Sequence, residues 1–236
     1  MACCRPRNRR FEDDSTFADP AVRRRFVTKV LLIVAVNLAI TTLAMTTCVM
    51  LKPLRHFFQR FWFLSLPAIL IIMIMHYMMC CCRNLFRVPV LKWVLLAIYV
   101  FCHAILVICL AVRYHPRLVI MAFGICAGLV VFLCLFAWFA PCDFTSCFVL
   151  IFIISITLVV LGILAIFFRT FKIVYLAFGV IAYSIYIVVD LQMIVGGRIH
   201  KNQYDESDFI LGAMSLFHDI IYLFWFILQL CGLIDE

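Results

Sequence analysis

Twelve acidic residues occur in this chain of 236, and only two of them, Asp190 in IYIVVDLQMI and Asp219 in FHDIIYLFWF, stand inside apolar runs. An acid placed in hydrocarbon costs at least about 2.5–3.5 kcal/mol, so such residues mark ion paths, proton relays or ligand sites. Two carboxylates brought together in low dielectric cannot both ionise cheaply, and the pair holds one proton between them near neutral pH. That arrangement is a proton-sensitive latch whose hard oxygens also suit Ca²⁺. The plainer alternative is a protonated, hydrogen-bonded pair that only joins two helices.

Weaker polar candidates surround these two. His76 and His103 also lie in apolar runs and could titrate or gate, although an interior histidine is more often simply hydrogen-bonded. His218 adjoins Asp219 but leaves a helix about 100° away from it, so adjacency is not pairing. Asn37, Gln192 and Gln229 read as hydrogen-bonders between helices. The DESD stretch at 205–208 reads as solvated charge that also caps the following helix. It does not match an EF-hand loop. The sequence therefore predicts no dedicated metal site, only transient Ca²⁺ at Asp190 and Asp219. It predicts no cofactor and, lacking a catalytic constellation, no enzyme.

These residues need helices to position them. The chain is 67% hydrophobic and 14% charged, with mean hydropathy +1.17; soluble domains are roughly half apolar and a quarter charged. Such a composition excludes a soluble enzyme or a nucleic-acid binder and makes the lipid bilayer the solvent. A helix needs about 20 apolar residues to cross hydrocarbon. Seven runs qualify, at 30–51, 61–81, 90–112, 118–140, 147–168, 173–195 and 209–232. The expected fold is all-α, a polytopic bundle of seven transmembrane helices over 30–233, preceded by a short basic tail at 1–29. Pro67 falls inside the second run, where it could kink the helix. Asp190 lies about 9 Å below the end of the sixth run and Asp219 about 15 Å into the seventh. Neighbouring antiparallel helices would bring them to similar depth.

Charge and cysteine set the expected topology. With a cytosolic N-terminus, 13 of the 20 basic residues fall on the cytosolic side, as the positive-inside rule requires. The tail carries RPRNRR and VRRR with no apolar stretch ahead of the first run, so no cleavable signal peptide is expected. Its basic residues are topology signal, with contact to anionic lipid as the functional alternative. The cysteines outside the runs all fall on the cytosolic side, which argues against structural disulfides. Among them, Cys3, Cys4, Cys80, Cys81 and Cys82 are juxtamembrane thiols suited to reversible palmitoylation.

YIVVDLQMIVGGR followed by SLFHDIIYLFWFILQLCG resembles the transmembrane Bax inhibitor motif family, in its Lifeguard branch. CDFTSC at 142–147 and VRRRFVTKVLLIVAVNLAITT at the first run resemble it too, so the likeness covers about residues 22–233. Departures are Leu191 where the family has Thr, Pro141-Cys142 in place of Thr-Lys, and Arg117-Leu118 where many members carry an acid. The resemblance implies a seven-helix bundle with the last helix at its centre. It implies residence in endoplasmic reticulum, Golgi or plasma membrane, a Ca²⁺ leak that lowers stored Ca²⁺, and suppression of cell death. In a bacterial relative the paired aspartates form a pH-sensitive latch. That role falls here on Asp190 and Asp219, with Arg83 the nearest match to the arginine that assists them.

The leading expectation is a pH-modulated Ca²⁺ leak channel, with Ca²⁺ as the permeant ion. The runner-up is a non-conducting adaptor that regulates apoptosis or Ca²⁺-release proteins through its cytosolic segments. A proton-coupled transporter ranks last, since no internal repeat is visible.

Overall fold

The structure is a computed structural model that describes residues 20–139, 144, 148–195 and 206–234. Cys3, Cys4, Cys142, Asp143 and Asp205 lie outside the described residues. Eight α-helices are described: α1 (Pro20–Met50), α2 (Lys52–Arg60), α3 (Ser65–Cys81), α4 (Leu91–Ala111), α5 (Pro116–Phe139), α6 (Phe148–Phe167), α7 (Arg169–Val195) and α8 (Phe209–Ile234). Short 3-10 segments occupy Trp62–Leu64, Arg83–Arg87 and Glu206–Asp208. All the helices except α2 are long and apolar enough to cross a membrane.

Several helices outrun their apolar segments. α1 begins at Pro20, ten residues before its hydrocarbon-length run, because Pro suits a first helical turn and the arginines after it are good helix formers. Pro67 does not kink its span. It falls in the first turn of α3, where its missing N–H would have no intrahelical partner. α8 is a continuous helix of 26 residues, about 39 Å long, enough to cross fully.

The least hydrophobic span is the most buried. In α8 the best window has hydropathy 1.7 and is 78% buried, whereas in Val149–Phe167 it has hydropathy 3.2 and is 6% buried. Polar groups such as His218 and Asp219 cannot face lipid, so their helix takes the centre. α8 packs against α1, α4, α5 and α7, and α6 packs chiefly on α7. Phe152, Ile153, Ile156, Val159 and Val160 of α6 face outward, as do Leu32, Ile40 and Leu43 of α1. On a membrane bundle these form the lipid belt.

Both ends of the bundle are fastened by side chains. At one end Arg55 of α2 donates from Nε to the Val112 carbonyl (3.2 Å) and from its second nitrogen to Tyr114 (3.0 Å). Gln59 donates to the same Val112 carbonyl at 2.7 Å. These bonds satisfy carbonyls of the C-cap and turn that follow α4. At the other end Arg87 forks onto Asp208 through two bonds of 3.0 Å. Lys29 of α1 and Lys92 of α4 lie over the Phe209 ring, at 5.6 and 4.7 Å from its centroid. Asp208 is only 2% exposed, so this member of the DESD stretch is buried and paired, not solvated. Arg87 is the buried acid's natural partner because its planar fork matches a carboxylate bidentately.

Candidate functional site: a carboxylate pair beside a histidine cluster

Asp190 sits five residues before the end of α7, and Asp219 ten residues into α8. Each is 7% exposed. The helices can approach closely because Gly179 of α7 faces Phe226: a Cβ there would collide with the ring. That contact fixes the register. Ser215, one turn before Asp219 on α8, comes within hydrogen-bonding reach of the Asp190 carboxylate. Asp219 lies near enough to feel the charge of Asp190. Oδ2 of Asp190 has no hydrogen-bond partner among the described residues, and neither do Nδ2 of Asn37 and Oγ1 of Thr41, both on α1. Asn37 and Thr41 are one turn apart and share a helix face. Buried polar atoms without partners cost about 1–3 kcal/mol each and are places where water or an ion is held.

A second cluster adjoins the acids. His103 Nδ1 lies 2.9 Å from the Tyr99 carbonyl, which can only accept, so Nδ1 carries the proton. In the neutral ring Nε2 is then an acceptor, and it lies 3.0 Å from His218 Nδ1, which must donate. His76 Nδ1 likewise donates to the Ile72 carbonyl at 3.0 Å. Its Nε2 accepts from the Tyr99 hydroxyl at 3.3 Å. The His76 and His218 rings meet edge-on at 4.2 Å, and His218 packs on Tyr222 at the same spacing. Three helices, α3, α4 and α8, thus deliver three imidazoles whose tautomers are fixed by geometry. Tyr99, fully buried, bonds to His76 and is within the electrostatic reach of both aspartates, so it connects the two clusters. Toward the C-terminal end of α8, Tyr183 stacks on Tyr222 at 5.3 Å and packs on Phe226 at 5.4 Å, with Tyr175 on the same Phe226 at 5.1 Å. These rings close the bundle beyond the acids.

The structure thus brings together Asp190, Asp219, His76 and His103. It adds His218, Tyr99 and Ser215, which sequence reasoning did not assign to the site. The available signal was that three of the six histidines fall within apolar runs. The side-chain oxygen of Gln192 accepts the Phe144 N–H at 2.8 Å, tying the segment before α6 to α7. Arg83 is exposed at the bundle's end, whereas both aspartates are buried inside it. Cys80, Cys81 and Cys82 are exposed at the end of α3. Among the described residues no group of three metal-ligating side chains converges, the three histidines included.

The family model described as inhibitor of apoptosis-promoting Bax1 matches residues 23–236. Protein lifeguard 3 of Homo sapiens is 29% identical over 220 residues, covering 91% of this chain and 70% of the relative. Protein lifeguard 3 of Mus musculus is 28% identical, covering 91% and 71%. The matched region includes every described residue of the carboxylate pair and the histidine cluster, and the chain belongs to the Bax inhibitor family, in its Lifeguard branch.

Proposed function

We propose that this protein is a pH-modulated Ca²⁺ leak channel of internal membranes, endoplasmic reticulum or Golgi, that restrains cell death. The observation that carries this reading is the burial of two interacting carboxyls on adjacent central helices, one with an oxygen left unpaired. Protons and Ca²⁺ compete for the same oxygens. With one proton shared, the pair is a hydrogen-bonded latch between α7 and α8. With none, it is a doubly negative site that a divalent cation neutralises. The unpaired polar atoms of Asn37 and Thr41 on α1 are further places inside the bundle where water can be held, which suits a hydrated interior. The family's description, inhibitor of apoptosis-promoting Bax1, supports the role in restraining death.

The test is Ca²⁺ flux into vesicles holding the purified full chain, measured against pH. Wild type should need more Ca²⁺ for half-maximal flux as pH falls, because protons displace the cation. Asp190→Asn and Asp219→Asn should each flatten that dependence. Wild-type pH behaviour in both variants would sink the latch. Protection from cell death that survives both substitutions, without flux, would instead assign the adaptor role, in which cytosolic segments contact apoptosis or Ca²⁺-release proteins.

A further inference from the structure

A groove of about 560 Å³ runs between α6, α7 and α8 on the lipid-facing side, at the end opposite Arg87 and Asp208. Its walls include Val159, Ile163 and Ile166 of α6, all exposed. Three hydrogen-bond donors line it: Lys172 of α7, and Trp225 and Gln229 of α8. None of the three makes a hydrogen bond or ion pair with a described residue. None of the described lining residues is acidic. Lys172 lies about 4.5 Å from the start of α7 and Gln229 about 7.5 Å from the end of α8, the depth of a phospholipid's phosphate and glycerol. A half-buried amide at that depth with no protein partner is left to a lipid headgroup or to water.

We propose that this groove is a binding site for one phospholipid, its phosphate held by Lys172 and Gln229, the Trp225 indole N–H one turn deeper serving the ester oxygens, its acyl chain lying along Val159, Ile163 and Ile166. Two donors, one of them a fixed positive charge, complement an anion, so an anionic phospholipid is favoured over a zwitterionic one. Gly162 shapes the floor: a Cβ there would press on the Tyr175 ring at 3.2 Å, and its absence leaves the cleft between α6 and α7 open. The proposal stands on the groove alone and does not depend on Ca²⁺ conduction.

Native mass spectrometry of the detergent-solubilised full chain tests it, with phosphatidylglycerol and phosphatidylcholine added in parallel. Wild type should retain one phosphatidylglycerol, in preference to phosphatidylcholine. Lys172→Gln and Gln229→Leu should each weaken retention on the order of tenfold, as for loss of a hydrogen bond to a charged group. Ile163→Trp, on an exposed wall, should expel the lipid while keeping every donor. Lys52→Gln, a surface cation at the same end but outside the groove, should retain it. Equal loss in Lys52→Gln would show generic surface charge and overturn the site, as would lipid retained by Ile163→Trp. Displacement by millimolar inorganic phosphate would overturn the lipid assignment. So would a wild-type dimer that Gln229→Leu dissociates, since a second copy would then fill the groove.

Discussion

His76 and His103 have a single job for each ring nitrogen and His218 donates from Nδ1, and that makes the cluster testable one residue at a time. His103 Nε2 takes the His218 Nδ1–H. Replacing His103 with Leu removes the acceptor and leaves a buried N–H unpaired, which costs about 1–3 kcal/mol. Replacing both, as in His103→Leu with His218→Phe, leaves no orphan at that contact, so the double variant should be less destabilised than the sum of the singles. Thermal unfolding in detergent reads both values; strict additivity would show that the 3.0 Å contact contributes nothing. At this scale the sequence revealed the acids better than the imidazoles. Asp190 and Asp219 could be found by elimination, because charge inside an apolar run is rare. The histidines came singly on three helices separated by up to 142 positions, from His76 to His218. Only tertiary packing could show that they meet, and that Ser215 and Tyr99 join them.

The segment from Asp208 to Phe209 is where α8 enters the bundle, and α1, α4 and the 83–87 segment all grip it. Asp208 is almost wholly buried, while the Arg87 side chain is 40% exposed. The two halves of the ion pair should therefore respond unequally. Arg87→Met takes two charge-assisted hydrogen bonds from a buried carboxylate, a loss of about 3–5 kcal/mol for a fully buried pair and less here because Arg87 reaches solvent. Asp208→Asn leaves a guanidinium that water can solvate and keeps an acceptor, so it should cost about 1 kcal/mol. Circular-dichroism melts of the two variants decide this, and an Asp208→Asn variant as unstable as Arg87→Met would mean that the pair is not what holds α8. The pairing was hidden in the sequence for a physical reason. DESD has the composition of a solvated turn, and no local signal distinguishes its last residue. Arg87 lies 121 positions away. Likewise KPLRHFFQR looked like a polar connection, yet it forms α2 and fastens the end of α4. The membrane spans were legible because hydrocarbon thickness imposes a length that a count of apolar residues recovers. Helix continued beyond that length, as in α1, responds to propensity and packing and leaves no hydropathy signal.

Across the whole molecule, the extremes of hydrophobicity run opposite to a soluble protein's: the most apolar span, in α6, is the least buried, and the least apolar, α8, fills the centre. The acids therefore communicate with water along the bundle axis and not sideways. That axis is asymmetric. Asp190 lies about 7.5 Å from the end of α7 at which Arg87 and Asp208 sit. In the other direction the stack of Tyr183, Tyr222, Phe226 and Tyr175 stands between the pair and the far end. Under the cytosolic N-terminus that the 13-to-7 division of basic residues predicts, the Asp208 end faces the cytosol. Proton access should then be one-sided. In vesicles where protein orientation has been fixed by affinity capture on an N-terminal tag, acidifying the bath on the N-terminal side should change Ca²⁺ flux at once. Acidifying the opposite bath by the same amount should leave it unchanged until protons leak across. A sequon engineered into 52–61 should be glycosylated in cells and one in 197–203 should not, which ties that sidedness to the lumen. If the two baths act equally, the aromatic stack is not a barrier and the pair is reached from both ends. If only the far bath acts, the carboxyls are reached through the aromatic end, and the direction of access drawn from their depth is wrong.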